Sequence, residues 1–359
     1  MYKCCRHILH GLCFFDKMLV SCCYSPVDQQ NNMHPPLIMD NYDGRIIPKD
    51  ELFKKINDYV DVFKQGKVPR ECANCCKIEE KDWDEDRYID YIVITHYSVC
   101  NADCIYCSNN LTPQERTNEV YEILPILNYF KEEGIIRQGC EFHIGGGEFS
   151  IYKESEALLR DYALTNFAKL YIPTNAIKYQ ENLFRAMDEA STYIIVSLDS
   201  GSRETFKRIK RVDAFDKVVE NLFKYSKTEA SRYRVSLKYI IIPGFNDNIV
   251  EFKKFLDIAK RCGVTYLNID IDARYTRLLE YKINKHFVIL AYRMKEIAEK
   301  EGFEVQIYSF LEQVIHELDI PKFPAISDFI ETFKYKHLNP DKKTIKELYC
   351  NHHYGSLKR

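Results

Sequence analysis

The 359-residue chain lacks several features that mark common classes of protein. It has no apolar run of about 18 residues, so we expect no transmembrane helix and no membrane partner. Its charges balance, with 51 Lys and Arg against 53 Asp and Glu. The chain therefore lacks the excess of basic residues that is typical of a nucleic-acid-binding protein. The first residues, Met1-Tyr2-Lys3-Cys4, contain no apolar signal segment. We therefore expect a cytoplasmic protein that binds neither nucleic acid nor membrane.

Cysteine, in contrast, is abundant, with 14 residues in the chain. Cys100, Cys104 and Cys107 directly follow the apolar run 91–95 and have CxxxCxxC spacing. Iron–sulfur clusters are held by Cys thiolates, and a cubane of four irons normally takes four of them. Three ligands would leave one iron open to bind something else. A zinc site is the alternative, because CxxC pairs are also a usual spacing of zinc ligands.

Two more segments combine an apolar strand with polar or glycine residues at its end. The run 140–144 leads into Gly146, Gly147 and Glu148, where glycines allow a close backbone approach and a carboxylate can accept hydrogen bonds from an ammonium group. The run 193–198 leads through Ser197 to Asp199, and strand alternation places these two on one face. Ordinary turns are the alternative interpretation of both segments.

In this order along the chain, the three motifs resemble those of the radical S-adenosylmethionine (SAM) superfamily. The resemblance implies a [4Fe-4S] cluster on Cys100, Cys104 and Cys107, with the open iron chelated by the amino and carboxylate groups of SAM. It also implies a set of SAM contacts around this cluster. These are Tyr106 before the last cysteine, Gly146, Gly147 and Glu148 at the methionine amine, Ser197 and Asp199 at the ribose, and Asn175 near the adenosyl group.

Hydrophobic periodicity predicts six strands that alternate with helices, which favours βα units and a parallel sheet. The predicted strands are 89–95, 140–144, 170–173, 193–198, 235–241 and 266–271, and the predicted helices are 118–133, 154–165, 180–189, 214–227, 248–262 and 284–301. This count matches the partial (βα)6 barrel of the radical SAM family. We therefore expect an α/β protein with a cysteine-rich module at 1–84, a partial barrel at 85–310 and a mixed extension at 311–359.

Polar residues on the predicted barrel strands are candidates for substrate contacts, since ligands gather at the carboxyl ends of such strands. In 266–272, Asp270 and Asp272 alternate with apolar residues and should face the lumen, and Arg274 continues their line. The same argument places His143 in the lumen. Structural hydrogen bonds or ion pairs are the alternative for all four residues. The basic segment 203–211 is interpreted as a solvated helix face.

Eight cysteines fall within the first 76 positions, and their spacing predicts a second metal site. A secreted disulfide framework is disfavoured by the absent signal segment, by the chain length and by a cluster motif that needs reduced thiols. The pattern resembles half of the auxiliary-cluster arrangement of SPASM and twitch radical SAM enzymes, although there it follows the barrel. The predicted ligands are Cys4, Cys22, Cys72 and Cys75, with Cys5, Cys23 and Cys76 as adjacent alternatives. Zinc suits four thiolates equally well.

The resemblance implies an enzyme that cleaves SAM reductively to methionine and a 5′-deoxyadenosyl radical, which abstracts hydrogen from a C–H bond of a small polar substrate. A reductase such as flavodoxin or ferredoxin would supply the electron. A second cluster suits an oxidation, whereas zinc, or a thiol donor such as Cys140 or Cys262, suits an epimerisation or rearrangement. The alternatives are a non-catalytic iron–sulfur electron carrier or redox sensor, and a zinc-stabilised binding module. Cys350, His352 and His353 form a weaker metal pattern near the end of the chain.

Overall fold

A computed structural model of the chain describes residues 1–23, 35–73, 75, 77–83, 86–107, 115–117, 120–272 and 281–307. The chain divides into two compact units. The first consists of Met1–Asn101, Leu111–Thr174 and Lys178–Ile194, and the second of Ala102–Asn110, Asn175–Ile177 and Ile195–Arg359.

The first unit is built on a sheet whose central strands are parallel. Its strands are β1 (Tyr2–Cys4), β2 (Gly11–Phe14), β3 (Met18–Val20), β4 (Leu37–Asp40), β5 (Glu79–Lys81), β6 (Ile89–Ile94), β7 (Ile136–Ile144) and β8 (Ala168–Thr174). The strand order is β8-β7-β6-β2-β3-β4, and β1 and β5 form a separate antiparallel pair. The strands from β8 to β2 are parallel, and the β2-β3-β4 segment is antiparallel.

Helices of the first unit follow the apolar periodicity of the sequence. They are α1 (Arg6–His10), α2 (Lys49–Lys64), α3 (Leu124–Glu132), α4 (Ser155–Leu158), which continues into a π-helical turn at Leu159–Ala163, and α5 (Glu181–Glu189). Helix α2 buries Leu52, Ile56, Val60 and Phe63, whose spacing of three and four residues places them on one face.

The second unit continues the alternation of strands and helices. Its strands are β9 (Thr192–Ser197), which starts in the first unit, β10 (Val235–Ile241), β11 (Tyr266–Ile271) and β12 (Glu304–Ile307), in the order β12-β11-β10-β9. Strands β10, β11 and β12 are parallel. The helices are α6 (Arg203–Lys210), α7 (Phe215–Tyr225), α8 (Glu229–Arg232), α9 (Ile249–Arg261) and α10 (Tyr281–Lys300).

Strand β9 presents one buried face and one partly accessible face. In β9, Ile194 and Val196 are buried while Tyr193, Ile195 and Ser197 are partly exposed. The predicted strand alternation therefore holds, and the partly exposed face is the one on which polar residues can meet a ligand. All six predicted strands are present, so the α/β class is confirmed. Within the described residues, no helix is both long and apolar enough to span a membrane.

Candidate functional site

The loop after β6 carries the three cysteines of the CxxxCxxC motif. Cys100 belongs to the first unit, and Cys104 and Cys107 belong to the second. All three are partly exposed, and the amide of Cys107 donates to the carbonyl of Cys104 at 3.1 Å. Their donor chemistry suits an iron–sulfur cluster, since each can supply one thiolate. Their position after a strand is the one that the sequence predicts.

The glycine turn after β7 lies very close to the backbone of residues 95–99 in the first unit. A Cβ on Gly147 would lie 2.1 Å from the carbonyl oxygen of Val99, and one on Gly146 would lie 2.4 Å from that of Tyr97. Gly146 also has φ +99, which L side chains rarely adopt. Both glycines are therefore required by the close approach of two backbone segments, one of which leads to Cys100.

Glu148 follows these glycines as a buried carboxylate, with a relative exposure of 2%. Its Oε1 accepts hydrogen bonds from the Ser150 amide at 3.1 Å, the Ser150 hydroxyl at 2.8 Å and the Thr174 hydroxyl at 2.7 Å. These donors fix the carboxylate in one orientation. A carboxylate held in this way can accept further hydrogen bonds from a ligand ammonium group.

The hydroxyl of Tyr97 is a buried donor in the same unit as Glu148 and Cys100. It makes no hydrogen bond within the described residues. Burial raises the pKa of Tyr97 well above its usual range, and the charges of Glu148 and Cys100 raise it further. Because buried polar groups normally have partners, an unpaired hydroxyl near these two residues fits a polar ligand bound there.

In the second unit, Tyr106 of the cysteine loop joins Asp199 and Lys210 in a hydrogen-bonded group that we call the buried triad. The Tyr106 hydroxyl donates to Asp199 Oδ2 at 2.5 Å. Lys210 Nζ donates to the same Oδ2 and to the Tyr106 hydroxyl, each at 2.5 Å. The side chains of Lys210 and Asp199 are 1% and 0% exposed, so the two charges form a buried ion pair.

Asp199 has further internal partners in the second unit. Its Oδ1 accepts a hydrogen bond of 2.7 Å from the Ile240 amide, and its backbone has φ +55. Ser197, on the accessible face of β9, is partly exposed. Asn175 is mostly buried, and its Oδ1 accepts from the Ile177 amide at 2.9 Å. The contacts of Ser197, Asp199 and Asn175 with SAM stay predictions.

Lys210 was missed by the sequence interpretation, which assigned the whole segment 203–211 to a solvated face. That assignment holds for Arg203 and Lys207, whose side chains are 62% and 61% exposed, but it is wrong for Lys210. The physical reason is helical spacing. Lys210 lies four residues after Phe206, which is fully buried, so the two share the face that packs inward.

The front-end cysteines lie in the first unit, where Cys5, Cys22, Cys72 and Cys75 are neighbours. Burial raises the pKa of Cys72 above its usual range, and the charges of the other three thiols raise it further, in the order Cys5, Cys22, Cys75. Cys75 likewise raises the pKa of Cys5. These effects connect Cys72 with Cys5, Cys22 and Cys75, and the ligand set of a second metal stays a prediction.

The remaining cysteines of this region have other surroundings. Cys4 is fully buried, and Cys5 is the sole thiol that perturbs its pKa, which burial raises to about 12. Cys23 packs with Cys13, and its Sγ lies 4.0 Å from the Tyr91 hydroxyl. Cys76 lies outside the described residues. Among the described residues, no three Cys, His or carboxylate side chains are grouped closely enough to hold a metal ion as they stand.

Two predicted substrate residues lie on the second unit's strand β11 and the residue that follows it. Asp270 is partly exposed, and Asp272 is 2% exposed. Burial raises the pKa of Asp270, whereas the nearby Lys238 ammonium lowers it. Arg274 lies outside the described residues, as do Cys350, His352 and His353.

In the first unit, His143 is partly exposed and stacks on Tyr171, with ring centroids 4.6 Å apart. Burial lowers the pKa of His143, while Glu141 raises it. The spare thiols Cys140 and Cys262 are buried, with raised pKa values, so both are core residues.

Comparison with known proteins supports the assignment of these motifs. Residues 94–256 match the Radical SAM superfamily. A GTP 3′,8-cyclase of Nautilia profundicola is 28% identical over 187 residues, which cover 50% of this chain and 55% of that protein. A probable GTP 3′,8-cyclase of Saccharolobus islandicus is 26% identical over 181 residues, which cover 50% and 54%. The chain thus spans about half the length of the curated relatives it matches.

Among solved structures, Streptococcus suis SuiB bound to S-adenosylmethionine has a TM-score of 0.50 and 13% identity, covering 80% of this chain and 62% of that chain. This likeness concerns the fold alone. The segment 94–256 contains all three loop cysteines, the glycine turn and the Ser-x-Asp motif. The chain therefore has the predicted α/β fold, and its residues 94–256 match the Radical SAM superfamily.

Proposed function

We propose that this protein is a radical SAM enzyme that acts on a C–H bond of a small polar substrate. When bound, the cluster and SAM would supply an electron and a 5′-deoxyadenosyl radical that removes hydrogen from the substrate. The observation that carries the proposal is the CxxxCxxC loop on Cys100, Cys104 and Cys107, inside a segment that matches the superfamily. Three thiolates, rather than four, leave a coordination position for SAM.

The residues of the first unit fit the methionine end of SAM. The Glu148 carboxylate is buried and oriented by three donors, so it can accept hydrogen bonds from the SAM amine. The Tyr97 hydroxyl, which makes no hydrogen bond within the described residues, adds a donor close to Glu148 and Cys100. Gly146 and Gly147 hold this turn against residues 95–99, since no side chain fits there.

The residues of the second unit fit the adenosyl end. Ser197 lies on the accessible face of β9, where its hydroxyl can reach a ribose. Asp199 is held by Tyr106, Lys210 and the Ile240 amide, so its position is fixed before any ligand binds. Asn175 follows β8 and shapes the turn there through its bond to Ile177.

A second metal site on Cys5, Cys22, Cys72 and Cys75 is part of the proposal. Beyond the effect of burial, the charges of Cys5, Cys22 and Cys75 raise the pKa of Cys72, which supports this ligand set and favours Cys5 over Cys4 as the first ligand. A [4Fe-4S] cluster would accept the electron that a substrate radical must release in an oxidation. Zinc would instead make the module structural and favour an epimerisation or rearrangement.

The substrate would be polar, because the accessible faces of the strands carry ionisable side chains. In the second unit these include Lys238 and Asp270, and the pKa of Asp270 is raised by burial and lowered by the Lys238 ammonium. In the first unit they include His143 and Glu141, whose Nε2 and Oε2 atoms lie 4.0 Å apart. We propose that a flavodoxin or ferredoxin supplies the low-potential electron and that the protein is cytoplasmic.

The relatives named as GTP 3′,8-cyclases suggest a cyclisation of a nucleotide as a second candidate reaction. Their matched segments cover about half of their length, so the substrate of this chain has to be established on its own residues. A mass-spectrometric search for nucleotide products would support this candidate.

Anaerobic reconstitution with iron and sulfide, followed by metal counting, tests the proposal. We expect about eight irons per chain if both sites hold cubanes and about four if the front-end site holds zinc. With dithionite and SAM, the reconstituted protein should form 5′-deoxyadenosine. Iron binding without SAM cleavage would favour an electron carrier or redox sensor, and zinc at both sites would favour a zinc-stabilised binding module; either result would reject the proposal.

A further inference from the structure

We propose that Lys210 is a positioning residue for the SAM-cluster loop, an inference that rests on the proposed function. Lys210 is the last residue of α6, and its side chain is 1% exposed although it carries a charge. Buried lysines are rare unless they are paired, and this one is paired with Asp199. Such an arrangement has a cost in desolvation, so its geometry needs an explanation beyond packing.

The side chain of Lys210 fixes two residues that come from distant parts of the sequence. Its Nζ donates to the Tyr106 hydroxyl and to Asp199 Oδ2, each at 2.5 Å. The Tyr106 hydroxyl in turn donates to Asp199 Oδ2, so the three side chains are bonded to one another. Tyr106 lies between two cluster cysteines, Cys104 and Cys107, and therefore cannot move without moving the loop.

The main chain at Lys210 holds the same loop. The Asp103 amide donates to the Lys210 carbonyl at 3.0 Å, and the Ile105 amide donates to the Ile209 carbonyl at 2.9 Å. These carbonyls lie in the last turn of α6, where no further helical amide is available to them. The loop amides thus satisfy the free carbonyls at the end of the helix. In return, the helix fixes the loop on either side of Cys104.

Arg211 ends the helix in a way that favours this contact. It adopts φ +55 as the left-handed residue that terminates α6, and its guanidinium lies 3.2 Å from the Asp103 carboxylate. Ile105 and Tyr106 also pack against Ile209, Ile240 and Ile242. Lys210 therefore holds the loop through both its side chain and its main chain.

From this geometry, Lys210 sets the position of the loop and of Asp199 together. In the protein without metal, hydrogen exchange at the Asp103 and Ile105 amides reports the loop directly. Lys210→Met should speed their exchange at least about tenfold, because it leaves the buried Asp199 charge without its partner. Lys210→Arg keeps the charge and should restore much of the protection. Lys207→Met, on the exposed face of the same helix, is the matched control and should exchange like wild type.

A second readout uses the reconstituted protein. Lys210→Met should still bind iron through the three cysteines, but SAM should change the electron paramagnetic resonance spectrum of its reduced cluster less than in wild type, with Lys210→Arg intermediate.

If Lys210→Met does not fold, Tyr106→Phe, which keeps the ion pair, should still speed exchange at both amides. The inference would be overturned if Lys210→Met and Tyr106→Phe gave the same exchange rates and the same spectra as Lys207→Met. A wild-type protein that never cleaves SAM would reject the proposed function, while the exchange result would still decide the role of Lys210.

Discussion

The hydroxyl of Tyr106 donates a 2.5 Å hydrogen bond to the carboxylate of Asp199, although 93 positions separate the two residues in the chain. Tyr106 belongs to the cysteine loop and Asp199 to the segment after β9, so this bond joins two motifs that the sequence shows separately. Lys210 completes the contact with two donors of its own. An electrostatic group of this kind prearranges a ligand site, because its members need not reorganise when the ligand arrives.

Gly146 and Gly139 provide a matched pair for the role of the glycine turn. Both have positive φ, +99 and +85, but a Cβ on Gly139 would meet nothing within 4 Å, whereas one on Gly146 would collide with Tyr97. We expect Gly139→Ala to lower the free energy of unfolding by about 1 kcal/mol and Gly146→Ala to lower it by about 2 kcal/mol more. Denaturant unfolding measures both. Equal losses would argue against a close backbone approach at Gly146.

The buried His96 should make the protein less stable as the pH falls. Burial lowers the pKa of His96 to about 4 from an ordinary value of 6.5. Between these values the unfolded chain binds a proton that the folded chain does not, so the free energy of unfolding decreases with decreasing pH. Below pH 4 the free energy of unfolding is lower by about 3 kcal/mol than at neutral pH, because each unit of pKa difference corresponds to about 1.4 kcal/mol.

His96→Gln removes the titrating group and should flatten this part of the pH profile. His7, whose pKa burial also lowers to about 4, would keep a similar slope of its own. Denaturant unfolding of wild type and variant at several pH values between 4 and 7 checks the prediction. An unchanged slope in His96→Gln would show that the pKa of His96 is the same in the folded and unfolded protein and would contradict the prediction.

Separate substitution of Cys4 and Cys5 should show which of these two neighbours is a ligand of the second metal. We expect Cys5→Ala to lose the second metal and Cys4→Ala to keep it, because Cys5 and not Cys4 affects the pKa of Cys72. Metal content after anaerobic reconstitution, measured by mass spectrometry, gives the answer. Loss of metal in Cys4→Ala alone would restore the ligand set that the sequence predicts.

Much of the fold could be predicted from the sequence because its strands carry regular apolar alternation. Strands β10 and β11 have the predicted bounds, and β6 ends one residue earlier than predicted. The parallel pairing of β2 with β6 was not predicted. Strand β2 is short, and its residues Gly11 to Phe14 are all buried, so it has no alternation that marks it as a strand.

The site could be predicted only as far as its motifs are local. The loop cysteines and the glycine turn each lie within a few residues of one another, and their spacing carries the chemistry. Lys210 and Tyr97 depend on tertiary contacts, since a buried ion pair or an unpaired hydroxyl has no signature in a single segment. For Lys210, the four-residue spacing from Phe206 was the available signal, and the surrounding basic residues obscured it.

The account depends most on SAM cleavage by a cluster bound to the three loop cysteines. The direct measurement is the amount of 5′-deoxyadenosine formed from SAM and dithionite under anaerobic conditions, compared between wild type, Cys104→Ala and the core-cysteine control Cys140→Ala. We predict product from wild type, product from a folded Cys140→Ala, and none from Cys104→Ala, whose iron content should fall by about four. Equal product from Cys104→Ala and wild type, or no product from any of them after iron loading, would contradict the account.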